Sequence, residues 1–203
     1  MKFRFAACAA GLAALIGGVA VGTQAQAADP SISFTMVRSA ATVTANCLTT
    51  ATASVRVVSH NLTETMTISA AGLPPDTDYD VFILQVPNAP FGLAWYQSDL
   101  HANSSGSGSV TVMGRFNEET FAVAPGAAPA PTPHPGIDAA TNPAFAPIHT
   151  FHVGFWFNSP ADAAAAGCPT TVTPFNGEHT AGIQAMSTRT FADANGPLRS
   201  LTS

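Results

Sequence analysis

Asp76, Asp78 and Asp80 stand at alternate positions, the D-x-D-x-D spacing with which a calcium loop begins. The rest of that loop is missing: Val81 occupies the position that needs glycine for the sharp turn, and Pro87 that of the bidentate glutamate. On a strand the three carboxylates share one face, so a solvated acidic ridge is expected. His149 and His152 form an H-x-x-H pair, whose members are neighbours on a helix but point to opposite faces of a strand. Cys168, His179 and Met186 supply the residue types of a blue-copper site. Such sites, however, hold the cysteine and the histidine after it in one short loop, and here the gap is long.

Acyl transfer has no better footing. There is no G-x-S-x-G elbow, and Ser107 sits in a glycine-rich turn, a flexible base for preorganised catalysis. Glu178 and His179, beside the Asn176-Gly177 turn, could act as an acid and base pair, although adjacent polar residues in a hairpin loop are ordinarily just solvated. Trp95, Tyr96 and Trp156 could stack on sugars or other flat ligands. Alternation lets only one of Trp95 and Tyr96 reach any given face, and core burial is the commoner role of such side chains. The sequons at Asn61 and Asn103 matter only in a host that glycosylates exported proteins. No phosphate-cradling glycine loop and no zinc-finger set of cysteines is present.

The chain opens with Lys2 and Arg4, runs through an apolar stretch from Ala6 to Val21 and reaches Ala25-Gln26-Ala27. That order predicts a secretory signal peptide over residues 1–27, cut before Ala28. The alternative, a transmembrane anchor, fits less well because the run is short and rich in Ala and Gly. Cys8 lies inside the run rather than just after it, which argues against lipid attachment. Beyond residue 27 there are five arginines, no lysine and twelve acidic residues, a formal charge of −7. The arginines do not cluster, so neither nucleic acid nor an anionic membrane surface is an expected partner. Cys47 and Cys168 remain, and in an oxidising compartment an isolated pair predicts a disulfide, with two buried free thiols as the alternative.

The elements that must position these residues read as strands. Runs at 31–37, 41–46 and 53–58 are β-branched and lack a helical period. Residues 62–70 place Leu62, Glu64, Met66, Ile68 and Ala70 on one face and Thr63, Thr65, Thr67 and Ser69 on the other, after a turn at His60-Asn61. Pro74 and Pro75 then lead into a strand in which Thr77, Tyr79, Val81 and Ile83 alternate with Asp76, Asp78, Asp80 and Phe82.

Leu73, Pro75, Thr77, Tyr79 and Val81 match a Leu-x-Pro-x-Thr-x-Tyr-x-Val pattern that resembles the corner before the penultimate strand of fibronectin type III domains. The resemblance covers about a dozen residues. It implies an immunoglobulin-like sandwich corner at Leu73, Pro75 and Tyr79, with the tyrosine hydroxyl bonded back to upstream backbone. No tryptophan precedes Trp95, where a type III domain has one in an early strand, so the resemblance carries architecture and no functional residue.

Further strands are expected at 92–97, 109–116 and 121–124, the first two joined by a flexible turn at 103–108. The Pro- and Ala-rich stretch 125–147 reads as a long extended loop. After it, His149, Phe151, Val153, Phe155 and Phe157 alternate with Thr150, His152, Gly154 and Trp156 in what should be a central strand. Ser159-Pro160-Ala161-Asp162, with Gly167 beyond, predicts a short helix near 160–166. A last hairpin is expected from 170–173 and 181–187, and a poorly ordered tail over 193–203.

Together these readings predict an all-β, antiparallel β-sandwich of immunoglobulin or fibronectin type, one domain over 28–192, exported, stapled by its cysteines and without catalysis or cofactor. Its expected partner is an extracellular protein or glycan, and His149, His179, Trp95 and Trp156 are the candidate ligand or metal contacts. A metal- or carbohydrate-binding domain is the alternative, and a hydrolase built on Glu178 and His179 the third.

Overall fold

Period-2 burial organises the chain from its first strand onward. The computed structural model describes residues 30–60, 63–117, 149–173 and 180–201. Among these residues eight strands are formed: β1 (Ser31–Arg38), β2 (Thr52–Ser59), β3 (Glu64–Ala71), β4 (Thr77–Leu84), β5 (Ala94–Ala102), β6 (Gly108–Gly114), β7 (His152–Phe157) and β8 (Gln184–Ser187). In β3, Glu64, Met66, Ile68 and Ala70 are buried while the threonines between them face outward, as the alternation predicts. β7 is central, between β4 and β8, and also matches the expected parity: Val153, Phe155 and Phe157 enter the main core.

All strand pairs are antiparallel, in the order β5-β4-β7-β8-β1-β2-β3-β6. The all-β class holds, but the expected two-sheet sandwich is replaced by one continuous sheet that curls until its end strands β5 and β6 pack together. The cause lies in β1. Ser31 to Met36 pair with β2, whereas Val37 and Arg38 pair with Ser187 and Met186 of β8, so hydrogen bonding passes from one half to the other without a break. One apolar cluster, with Val57, Met66, Ile68, Val81, Phe155 and Met186 among its members, fills the interior. β4 and β7 are buried on their outer face as well, where Phe82, Leu84, Ala94, Trp156 and Ala181 form a second cluster capped by Phe91.

Two short helices interrupt the strands. The helix α2 (Pro160–Ala165) lies where its cap predicts, with the Ser159 hydroxyl oxygen accepting from the Asp162 N–H at 3.2 Å. The other, α1 (Ala40–Thr44), replaces a strand expected at 41–46. Ser39 overrides the β-branched residues there: its side chain accepts from the Thr42 N–H at 3.1 Å, and Thr42 donates its hydroxyl to the Ala185 carbonyl at 3.1 Å. Cys47 and Cys168 are disulfide-bonded, with Cα atoms 5.5 Å apart, joining the ends of the two helices.

The tail also departs from expectation. Asp193–Asn195 and Pro197–Ser200 form 3-10 turns that place Leu198 and Leu201 in the core. Leu198 N–H donates to the Phe151 carbonyl at 3.1 Å, so local composition is overridden by packing against β7. Of the last hairpin, a single bridge between Thr173 and Ala181 and the strand β8 are formed. The leader 1–27, Asn61, the stretches 121–124 and 125–147, and the Asn176-Gly177 turn lie outside the described residues. Among the described residues no helix is long and apolar enough to cross a membrane.

Candidate functional site

The acidic ridge resolves into three different environments. Asp76 is exposed in the turn before β4, and Asp78 is exposed and meets His101 Nδ1 at 2.7 Å. Asp80 is only 2% exposed, which corrects the expectation of a solvated row. It sits opposite Asp99 of β5 and Trp156 of β7, because β4 lies inside the sheet and the second cluster covers its outer face. Nearby, the Tyr96 hydroxyl donates to Asp99 Oδ1 at 2.8 Å. Burial and that carboxylate push the Tyr96 pKa up to about 12, so it stays a neutral donor. Among the described residues no three His, Cys, Asp or Glu side chains gather to hold a metal.

The two histidines have separate environments. His149 is exposed just before β7, its ring stacked on Phe151 at 4.9 Å, with Nδ1–H donating to the Asn117 carbonyl at 3.1 Å. Arg199 lies over the other part of this surface, 5.9 Å from the Phe151 ring centre. His152 is buried, its Nε2–H donating to the Asp193 carbonyl and its Nδ1 accepting from the Thr188 hydroxyl, each at 3.0 Å. Burial holds its pKa below the ordinary 6.5. His152 therefore acts as a neutral tie between β7 and the tail.

The aromatic candidates diverge too. Trp95 is half-buried against the main core while Tyr96 is exposed on the opposite face, and Trp156 is buried between Phe82 and Phe91 at ring distances of 5.3 and 5.0 Å. Trp156 offers no stacking platform. The copper set fails on two members, since Cys168 is in the disulfide and Met186 is in the core. Glu178 and His179 lie outside the described residues. Ser107 belongs to a turn that is firmly built rather than loose: Asn103 Oδ1 accepts from the N–H groups of Ser105 and Ser107 at 2.9 and 3.1 Å.

The stretch from Leu73 to Tyr79 does not carry, among the described residues, the hydroxyl bond that the resemblance implies. Tyr79 is fully buried between Phe155 and Phe157, at ring distances of 5.3 and 5.1 Å, but its hydroxyl has no hydrogen-bond partner among the described residues. Burial, reinforced by the Asp162 carboxylate, pushes its pKa well above the ordinary tyrosine value. The corner is held instead by Leu73 N–H donating to the Gly106 carbonyl at 3.0 Å and by the Thr77 hydroxyl donating to the Pro75 carbonyl at 3.0 Å.

What the residue-by-residue reading missed is a cleft of about 660 Å³ assembled from three distant segments. Ala41 and Ala45 of the α1 region form one wall, Ala89 and Phe91 a second, and Pro169 with Thr171 the third, with Ile183 and Gln184 beneath. Among the described residues no charged or titratable side chain lines it. The disulfide pins two walls, because Ala45 lies two residues before Cys47 and Pro169 directly follows Cys168. Gln184 donates its side-chain N–H to the Pro87 carbonyl at 3.3 Å, fixing the second wall, that of Ala89 and Phe91, to the floor. A concave, largely apolar site of this size suits a small ligand, and its hydroxyls, from Thr44, Thr171 and Thr173, have no charged or titratable neighbour among the described lining residues to activate them. No signal in spacing or motif could have found it, since its described residues are alanines, threonines, two amides and single Phe, Pro and Ile side chains drawn from distant segments. No family model, no curated protein and no solved structure matches the chain.

Proposed function

We propose that this protein is an exported, non-catalytic binding module whose ligand site is the uncharged cleft between α1, Phe91 and Pro169. The observation that carries the reading is the disulfide beside that cleft, which preorganises two of its walls and suits an oxidising compartment. Kinship with immunoglobulin-like sandwiches rests on the all-antiparallel strands and the pattern from Leu73 to Val81, while the continuous pairing through β1 departs from two separate sheets. The ligand is apolar and neutral, because every charged group would be desolvated there without a partner.

The test is titration with Nile red, a neutral apolar dye, against the protein and an Ala41→Trp variant that fills the cleft from the exposed face of α1. Saturable binding is expected, weakened about tenfold or more in the variant while the melting temperature holds. Equal binding by both proteins would remove the cleft as the site. A second reading, a carbohydrate surface, is favoured by the exposed His149 stacked on Phe151 beside Arg199. A glycan array in which signal disappears with His149→Ala and survives Ala41→Trp would move the function there.

A further inference from the structure

The parity of β1 exposes a stretch of sheet edge with nothing bonded to it among the described residues. The Pro30 carbonyl accepts from Ser59 N–H at 2.8 Å, and the register with β2 is constant, so Ile32, Phe34 and Met36 direct their backbone groups toward β2. Ser31, Ser33 and Thr35 direct theirs the other way, toward the side that β8 occupies farther along, where Val37 pairs with Ser187 and Ser39 N–H donates to the Ala185 carbonyl at 3.0 Å. β8 ends at Ser187, and Thr188 turns away to bond Val153. No described residue hydrogen-bonds the outward backbone groups of Ser31, Ser33 or Thr35 from the vacated side.

That side is a groove of about 680 Å³, with Ile32, Ser33 and Phe34 on one bank and Phe191, Asn195 and Arg199 among those on the other. The usual protections of an edge are lacking on this stretch: between Ser31 and Thr35 there is no charge, no proline and no bulge. The end strands of the sheet need no such protection, since β5 and β6 cover each other.

We propose that the open edge of β1 is a strand-addition site for an extended peptide bearing a carboxylate, either a free C-terminus or an acidic side chain. Main-chain pairing with Ser31, Ser33 and Thr35 supplies the register, and Phe34 with Phe191, in edge contact at 6.5 Å, receives an apolar side chain. Arg199 is the sole charged residue lining the groove among the described residues and selects the carboxylate. Its Nη1 already donates to the Ala194 carbonyl at 2.8 Å and to Asn195 Oδ1 at 2.6 Å, which orients the exposed guanidinium. A second copy of the chain is a poorer occupant. The stretch from Ser31 to Thr35 carries no carboxylate for a partner's Arg199 to select.

The experiment uses a displayed octapeptide library with free C-termini as the probe, followed by hydrogen exchange on the purified protein with the selected peptide. The expected result is selection of alternating apolar peptides ending in, or carrying, a carboxylate, with new protection at the Ser33 and Thr35 amides. Ser33→Pro removes an outward N–H and leaves the β2 ladder intact, so it abolishes binding; Arg199→Gln weakens it roughly tenfold. Selection of no peptide, or protection that bypasses Ser33 and Thr35 in the unmodified protein, overturns the proposal whether or not Ser33→Pro folds. A peptide that survives Ser33→Pro but is lost in Ala41→Trp belongs to the cleft, which overturns this site and leaves the cleft standing. Concentration-dependent dimers abolished by Ser33→Pro would assign the edge to self-association and overturn the peptide reading.

Discussion

His152 donates from Nε2 to the carbonyl of Asp193, tying the C-terminal turns to the central strand through a neutral imidazole. Because burial lowers the folded pKa below 6.5, the unfolded chain takes up a proton first as the pH falls. The contribution of this group to stability is therefore complete above about 6.5 and is lost on acidification between that value and the lowered folded value. The slope cannot exceed about 1.4 kcal/mol per pH unit for one proton. Melting temperatures measured from about pH 7.5 down to about 5 are expected to fall, and His152→Gln is expected to flatten that dependence at the cost of a lower starting value. A parallel pH profile in the variant would assign the loss to other groups.

Tyr79→Phe is expected to leave stability within about 0.5 kcal/mol or to raise it, because the hydroxyl is desolvated without a hydrogen-bond partner among the described residues. The ring contacts with Phe155 and Phe157, which supply the packing, are retained. Denaturant midpoints compare the two proteins directly; a loss of about 1 kcal/mol or more would reveal a partner for the hydroxyl.

That reversal shows where local pattern stops being informative. The placing of Tyr79 inside follows from alternation along β4, and so do the inward faces of β3 and β7, because strand parity is a local property. The fate of its hydroxyl depends on where α2 and the turn at Gly106 come to rest, which no spacing encodes. Asp80 is the same case: its parity with Asp78 is plain, but its burial requires Phe91 and Trp156 to close over β4 from positions distant in sequence. The cleft lies beyond local reading altogether, since its walls carry no charge or motif and meet only through the fold.

Replacing both cysteines, Cys47→Ala with Cys168→Ala, is expected to cost about 2–5 kcal/mol, since the bond spans 121 residues of chain. Dye binding should weaken together with stability, because Ala45 and Pro169 lose their common anchor. Denaturant unfolding of the oxidised and reduced protein, with a Nile red titration under each condition, checks both parts. Unchanged dye affinity in a folded, reduced protein would separate the cleft from the bond.

Gly106→Ala is expected to destabilise by about 2 kcal/mol or more. Gly106 has φ of +73°, a left-handed conformation, and an added Cβ would collide with the Leu73 carbonyl. The turn also supplies the carbonyl that accepts from Leu73 N–H, so both sides of the corner would move. Ser105→Ala, one residue earlier and exposed, is the control and should cost little, since Asn103 keeps its other acceptor contacts. Equal melting temperatures for the glycine variant and the parent would show that the turn tolerates a different path.

Phe91 belongs both to the cleft wall and to the cluster around Trp156, with ring centres 5.0 Å apart. Occupancy of the cleft should therefore be readable from tryptophan emission, because a ligand that presses on Phe91 changes the packing around the buried indole. Trp95 is half-buried on the opposite face and supplies a background that Trp95→Phe removes. Phe91→Ala is expected to cost about 2 kcal/mol, less than for a fully buried phenylalanine because the ring is only partly covered. It should also red-shift Trp156 emission and weaken Nile red binding in the same variant. If the emission shifts while dye affinity stays at the parental value, Phe91 shields the indole without forming the ligand wall, and the cleft must be redrawn around α1 and Pro169 alone.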